Sequence, residues 1–156
     1  MRRLNPINLN AADPLLGQGD RREFVALLVR AGGRLTAVPV FDIETARAEL
    51  ARIMPMLDEF IVIRADAAEL AAALDSGMST SLGGLPELKA AQARLDELMA
   101  HIQESGVQLK GFAPLLLDFP SELDGVPALL CWLEGDAELG WYHRADLGFP
   151  GRRRLP

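Results

Sequence analysis

Apolar residues at Ile43, Ala46, Leu50, Ile53, Leu57, Phe60 and Ile61 recur at steps of three and four, and the pattern runs on through Ala67, Leu70, Ala71 and Leu74. Only a helix gathers positions with that spacing onto one face, so a long amphipathic helix beginning near Ile43 constrains everything else. Asp42 is placed to cap its exposed amides, with Phe41 positioned to staple onto the first turn. Pro55 removes one intrahelical hydrogen bond and Ile61-Val62-Ile63 is stiff at χ1, so the helix is expected to be kinked. Asp75-Ser76-Gly77 supplies its stop.

Pro86 suits the first turn of a second helix, whose stripe is Leu88, Ala91, Leu95, Leu98 and Ile102, closed by Ser105-Gly106. Gly77 to Leu85, rich in glycine and hydroxyl residues, connects the two. The stripes are too short for a free coiled coil, so the antiparallel pair needs a third element or a second subunit, which leaves room for a homodimer.

The third element follows. Pro114 to Phe119 is a short apolar run broken by Pro120, and Asp124-Gly125 favours a tight hairpin into a strand from Val126 to Leu133. Glu134-Gly135-Asp136 turns the chain again into a third strand, Glu138 to Arg144. The expected fold class is α+β: a long kinked antiparallel helical hairpin followed by a small three-stranded antiparallel β-meander, forming one domain over residues 41–156.

Residues 1–40 read as an N-terminal extension. An irregular arm carries Pro6, Pro14, Gly17 and Gly19, and Asp20 to Glu23 has capping-box spacing ahead of a short helix to about Ala31. The apolar run Phe24 to Val29 equally suits a strand, with Gly32-Gly33 turning into Arg34 to Val40.

Of the 156 residues, 49% are apolar and 24% charged, the balance of an ordinary soluble globular protein. The net charge of −6 is spread along the chain, and the only basic clusters are Arg2-Arg3 and Arg152-Arg153-Arg154, so no nucleic-acid partner is expected. The single cysteine, Cys131, permits no intrachain disulfide and fits a reducing compartment. No secretory signal and no run of some eighteen apolar residues is present, which points to a cytoplasmic protein with no membrane partner. The glycine loop of nucleotide hydrolases, the dinucleotide fingerprint and the helical zinc-protease pair are all absent.

The segment Trp141 to Arg152 concentrates three aromatic residues, a histidine, an aspartate and two arginines. Candidate binding residues are Asp118, Glu122, Trp132, Trp141, His143, Asp146, Phe149 and Arg152. The imidazole of His143 is a residue type suited to metal ligation or general-base chemistry, and Asp146 could orient its ring; with Glu134 these two form a candidate set for a divalent metal, set against a surface strand histidine. Asp118, between Leu117 and Phe119, must face away from the core or find a partner, for which Arg152 is the candidate. Cys131 should be buried and inert on the face shared with Leu129 and Leu133.

Leu117-Asp118-Phe119-Pro120, Asp124-Gly125, Leu130-Cys131-Trp132, Gly135 and the run Trp141 to Arg152, together with Phe41-Asp42-Ile43-Glu44-Thr45-Ala46 and Pro55, resemble an uncharacterised bacterial family, domain of unknown function 2203. The resemblance covers roughly residues 41–153 and departs from the family pattern at Arg144, where an acidic or polar residue usually follows the histidine. It implies helices leading into a small sheet and brings no activity or ligand. The expected function is a binding or protein-interaction module with a polar and aromatic C-terminal site; the alternative is a small metal-dependent hydrolytic or oxidative enzyme centred on His143.

Overall fold

The computed structural model describes residues 26–31 and 34–156, with side chains from residue 40 onward. Strands β1 (Ala26–Ala31) and β2 (Arg34–Pro39) pair antiparallel, from Ala26 opposite Pro39 to Ala31 opposite Arg34. Of the two expectations for this segment the strand holds and the helix does not: Leu35 to Val38 offers the apolar run before it a matching partner. The irregular arm, the Asp20 capping box and the Gly32-Gly33 turn lie outside the described residues.

Helix α1 (Ile43–Ser76) begins where the sequence places it. The Thr45 amide donates to Asp42 Oδ1 at 2.7 Å and the Asp42 amide donates to Thr45 Oγ1 at 3.0 Å, a reciprocal cap. The helix continues through Pro55 and ends at Gly77, whose φ of 68° is the left-handed conformation glycine adopts without strain. Helix α2 (Leu85–Glu104) follows, with Pro86 in its first turn and Glu87 Oε2 accepting from the Gly84 amide at 2.7 Å.

A five-stranded antiparallel sheet completes the fold: β3 (Gln108–Phe112), β4 (Leu115–Leu123), β5 (Val126–Leu133), β6 (Trp141–Arg144) and β7 (Arg153–Arg154), each beside its predecessor in the chain. The expected three-stranded meander is therefore corrected to five. Lys110-Gly111 interrupts the apolar signal of β3, where the register also shifts, and β7 is two arginines with nothing apolar to announce it. Nor does Pro120 end its strand. Its carbonyl accepts the Phe41 amide at 2.7 Å, so its missing N–H faces the same edge, beyond the end of β3, and no ladder bond is lost.

The period-two alternation of β4 and β5 divides the sheet into two faces. Leu115, Leu117, Phe119, Leu130 and Trp132 meet Leu50, Ile53, Leu57 and Phe60 of α1 and Leu98 and Ile102 of α2 in one core. Phe41 packs edge-on against Phe119, ring centroids 5.5 Å apart. The opposite face carries Asp118, Cys131 and His143. Farther along the hairpin only Leu70 and Ala73 are buried, and Leu88 and Ala91, expected in the stripe, are half-buried. Among the described residues no helix is long and apolar enough to cross a membrane.

Candidate functional site

Hairpin register assembles a buried polar cluster on the sheet face turned away from the helices. The Asp124-Gly125 turn sets Leu123 opposite Val126, and five residues back along each strand Asp118 stands opposite Cys131. On β6, His143 pairs with Leu129 and so projects on the same face. Asp118 and His143 are each 3% exposed and Cys131 is 0% exposed, and one ligating atom from each lies within 4.8 Å of the others. His143 Nε2 is 3.3 Å from Asp118 Oδ1, and its Nδ1 is 3.2 Å from the Arg144 carbonyl oxygen. Burial pushes the Asp118 carboxyl above the usual range, with the charge of His143 opposing that shift. Burial likewise pushes the Cys131 thiol up, against the pull of the Arg152 guanidinium.

Arg152 covers this cluster. Its Nε donates to Cys131 Sγ at 3.2 Å and its Nη2 donates to Asp136 Oδ2. The guanidinium lies 4.5 Å from the centroid of the Trp141 ring and 5.5 Å from that of Phe149. Gly148 gives the connecting loop its turn, with a φ of 64°.

Beside this corner a cleft of about 490 Å³ opens. Arg47, Asp136, Glu138, Trp141 and Arg154 contribute its functional groups, and Gly135 and Gly140 keep its walls low. Arg47 is steadied by donation from Nε to the Leu139 carbonyl at 3.3 Å, and the Arg154 guanidinium sits 5.1 Å from the Trp141 centroid.

Three expected placements are corrected. Asp146 does not orient His143; it is exposed and pairs with Arg144 at 2.7 and 2.9 Å, because the two lie on one surface turn. Glu134 is drawn into a different task, accepting from both terminal nitrogens of Arg64 at 2.8 and 2.9 Å and from the Leu115 amide at 2.8 Å. The proposed set of His143, Asp146 and Glu134 is thus dispersed, and Asp118 and Cys131 stand with the histidine instead. Asp118 finds its partner in His143, since Arg152 is committed to Cys131 and Asp136.

The other candidates divide between the faces. Trp132 lies in the core with its indole N–H donating to the Asp136 carbonyl at 3.0 Å, Glu122 is exposed near the end of β4, and Trp141, Phe149 and Arg152 gather at the covered corner. Asp136, Arg47 and Arg154 were missed. Asp136 reads locally as a turn residue, and the two arginines reach the cleft only through the packing of α1 and β7 beside it.

No curated protein and no solved structure matches the chain. A family model described as an uncharacterized conserved protein, DUF2203, matches residues 39–155, which include both helices and the whole five-stranded sheet, and the chain belongs to that family.

Proposed function

We infer that the chain is a binding module whose C-terminal cleft takes a small organic anion with a flat ring. The observation that carries this is the pair of guanidinium groups, Arg47 and Arg154, beside the Trp141 ring in a cleft large enough for a drug-sized molecule. Two planar forks suit carboxylate oxygens, and the Arg154 guanidinium, held against the Trp141 ring, offers a flat cationic surface on which a ring can stack. Asp136 is already neutralised by Arg152, which leaves Glu138 as the acid opposing the two arginines.

Benzoate, which has both ring and carboxylate, is the first probe, with inorganic phosphate as a charge-only control. Benzoate is expected to shift the Trp141 indole N–H resonance by more than that of Trp132, whose N–H meets the cleft only through the Asp136 carbonyl. Arg154→Ala and Arg47→Ala should each weaken it about tenfold, the loss of one charge-assisted contact. Absence of binding at millimolar benzoate, or equal binding by the arginine variants, would remove the support for this function.

Self-association through the helical hairpin is a second part of this reading, supported by exposure of Val62, Leu74, Met78 and Leu85 on its outer half. Sedimentation at micromolar concentration is expected to give a dimer that Val62→Glu dissociates; a wild-type monomer would refute it.

A further inference from the structure

The contacts of His143 pose a charge problem in the buried cluster. A backbone carbonyl only accepts, so the Arg144 oxygen requires the ring hydrogen on Nδ1. In a neutral imidazole, Nε2 then presents a lone pair, and 3.3 Å away it meets another acceptor, Asp118 Oδ1. Two lone pairs facing each other out of water require a positive centre between them, either a proton or a metal ion.

We propose that Asp118, Cys131 and His143 form a binding site for one divalent transition-metal ion of borderline softness, with Zn²⁺ as the reference. Oxygen and nitrogen ligands bound to tetrahedral zinc at about 2.0–2.1 Å lie roughly 3.3 Å apart, the separation found between Asp118 and His143. The thiolate selects against Mg²⁺ and Ca²⁺, which take oxygen ligands. The Nδ1–H donation to a backbone carbonyl is the outer contact that holds a ligating histidine in register, and the Arg152 N–H donates to the sulfur in the same supporting way.

Loading exchanges two protons, the one between Nε2 and Oδ1 and the one on the thiol, for one doubly charged ion, so the buried charge is unchanged. The ion joins β4, β5 and β6 through one ligand each. All three ligands are buried, so the ion would fasten the sheet, with the fourth tetrahedral position left for a small ligand such as water. Arg152 lies between this site and the anion cleft, but the two use different ligating residues and neither proposal needs the other.

The test is titration of the metal-free chain with Co²⁺ and then Zn²⁺, with Mg²⁺ as the control. One equivalent of Co²⁺ is expected, with the charge-transfer absorption of a cobalt-bound thiolate, displaced by Zn²⁺ and unaffected by Mg²⁺. Zn²⁺ should also raise the melting temperature, as any ligand selective for the folded state does. Cys131→Ser should abolish the charge-transfer band, and His143→Gln and Asp118→Asn should each weaken Co²⁺ at least tenfold, with circular dichroism confirming that each variant is folded. Wild-type protein that binds no Co²⁺, or binds it without the thiolate band, overturns the proposal without recourse to any variant. Binding undiminished in folded Cys131→Ser does so as well.

Discussion

Phe119→Ala is expected to destabilise the protein by about 4 kcal/mol, the cost of emptying a fully buried aromatic site that its neighbours cannot refill. Phe119 is 0% exposed, stands in the central strands of the sheet and packs edge-on to Phe41, the residue that leads into α1. Removing the ring therefore opens a cavity under the helices and releases the entry to α1 together. For a chain of this size the melting temperature should fall on the order of 10 °C. Phe149→Ala is the control, because that ring is 38% exposed at the covered corner and its loss should cost under about 1 kcal/mol. Urea unfolding of the two variants provides the comparison, and similar losses from both would mean that the core is not centred where the sheet meets the helices.

Glu134→Ala should cost about 2 kcal/mol at neutral pH, because it strips a charge-assisted partner from Arg64 and from the Leu115 amide at once. Hydrogen bonds from Arg64 and then from Leu115 hold the Glu134 carboxyl below its ordinary value of 4.5 in the folded chain. The carboxylate thus favours folding fully above that ordinary value, and its contribution is lost as pH falls through the depressed folded value. Wild type and variant should differ most near neutrality and converge as the pH drops well below 4.5. Stability curves of both proteins across that range would decide it; a constant difference would place the effect in lost packing and not in the charge.

Much of the helical half was legible because helical periodicity survives a single proline. Ala46, Leu50, Ile53, Leu57 and Phe60 fall on the buried face as their spacing requires, and both helix ends carry ordinary stop and start chemistry. The outer stripe was over-read: Ala71 and Leu74 share the spacing but are exposed, since the five-stranded sheet packs on the inner part of the hairpin, at Leu50 to Phe60, Leu98 and Ile102. Two strands were invisible for a different reason, being too short or too polar to show period two, and they gain their pairing only once the central strands exist.

The site shows the same division. The identity of His143 and Asp118 as unusual residues was readable from their neighbours, and the Asp124-Gly125 turn already contained the register that sets Asp118 opposite Cys131. Pairing His143 with Asp146 failed because closeness in sequence favours the arginine next to it on the turn, whereas the buried partner comes from two strands away. Glu134 was assigned to the wrong task because its partner, Arg64, sits on the distant α1.

Each strand of the sheet lies beside the one synthesised just before it, and the two helices are likewise consecutive. No crossover has to be threaded, so each pairing closes a short stretch of chain at small entropic cost. The sheet pairs only neighbours in the chain, outward from the Asp124-Gly125 hairpin in both directions, whereas its packing on α1 joins residues some seventy to ninety positions apart. The buried histidine, aspartate and cysteine thus come together through neighbouring hairpins, so the local pairing of consecutive strands is enough to assemble the polar cluster.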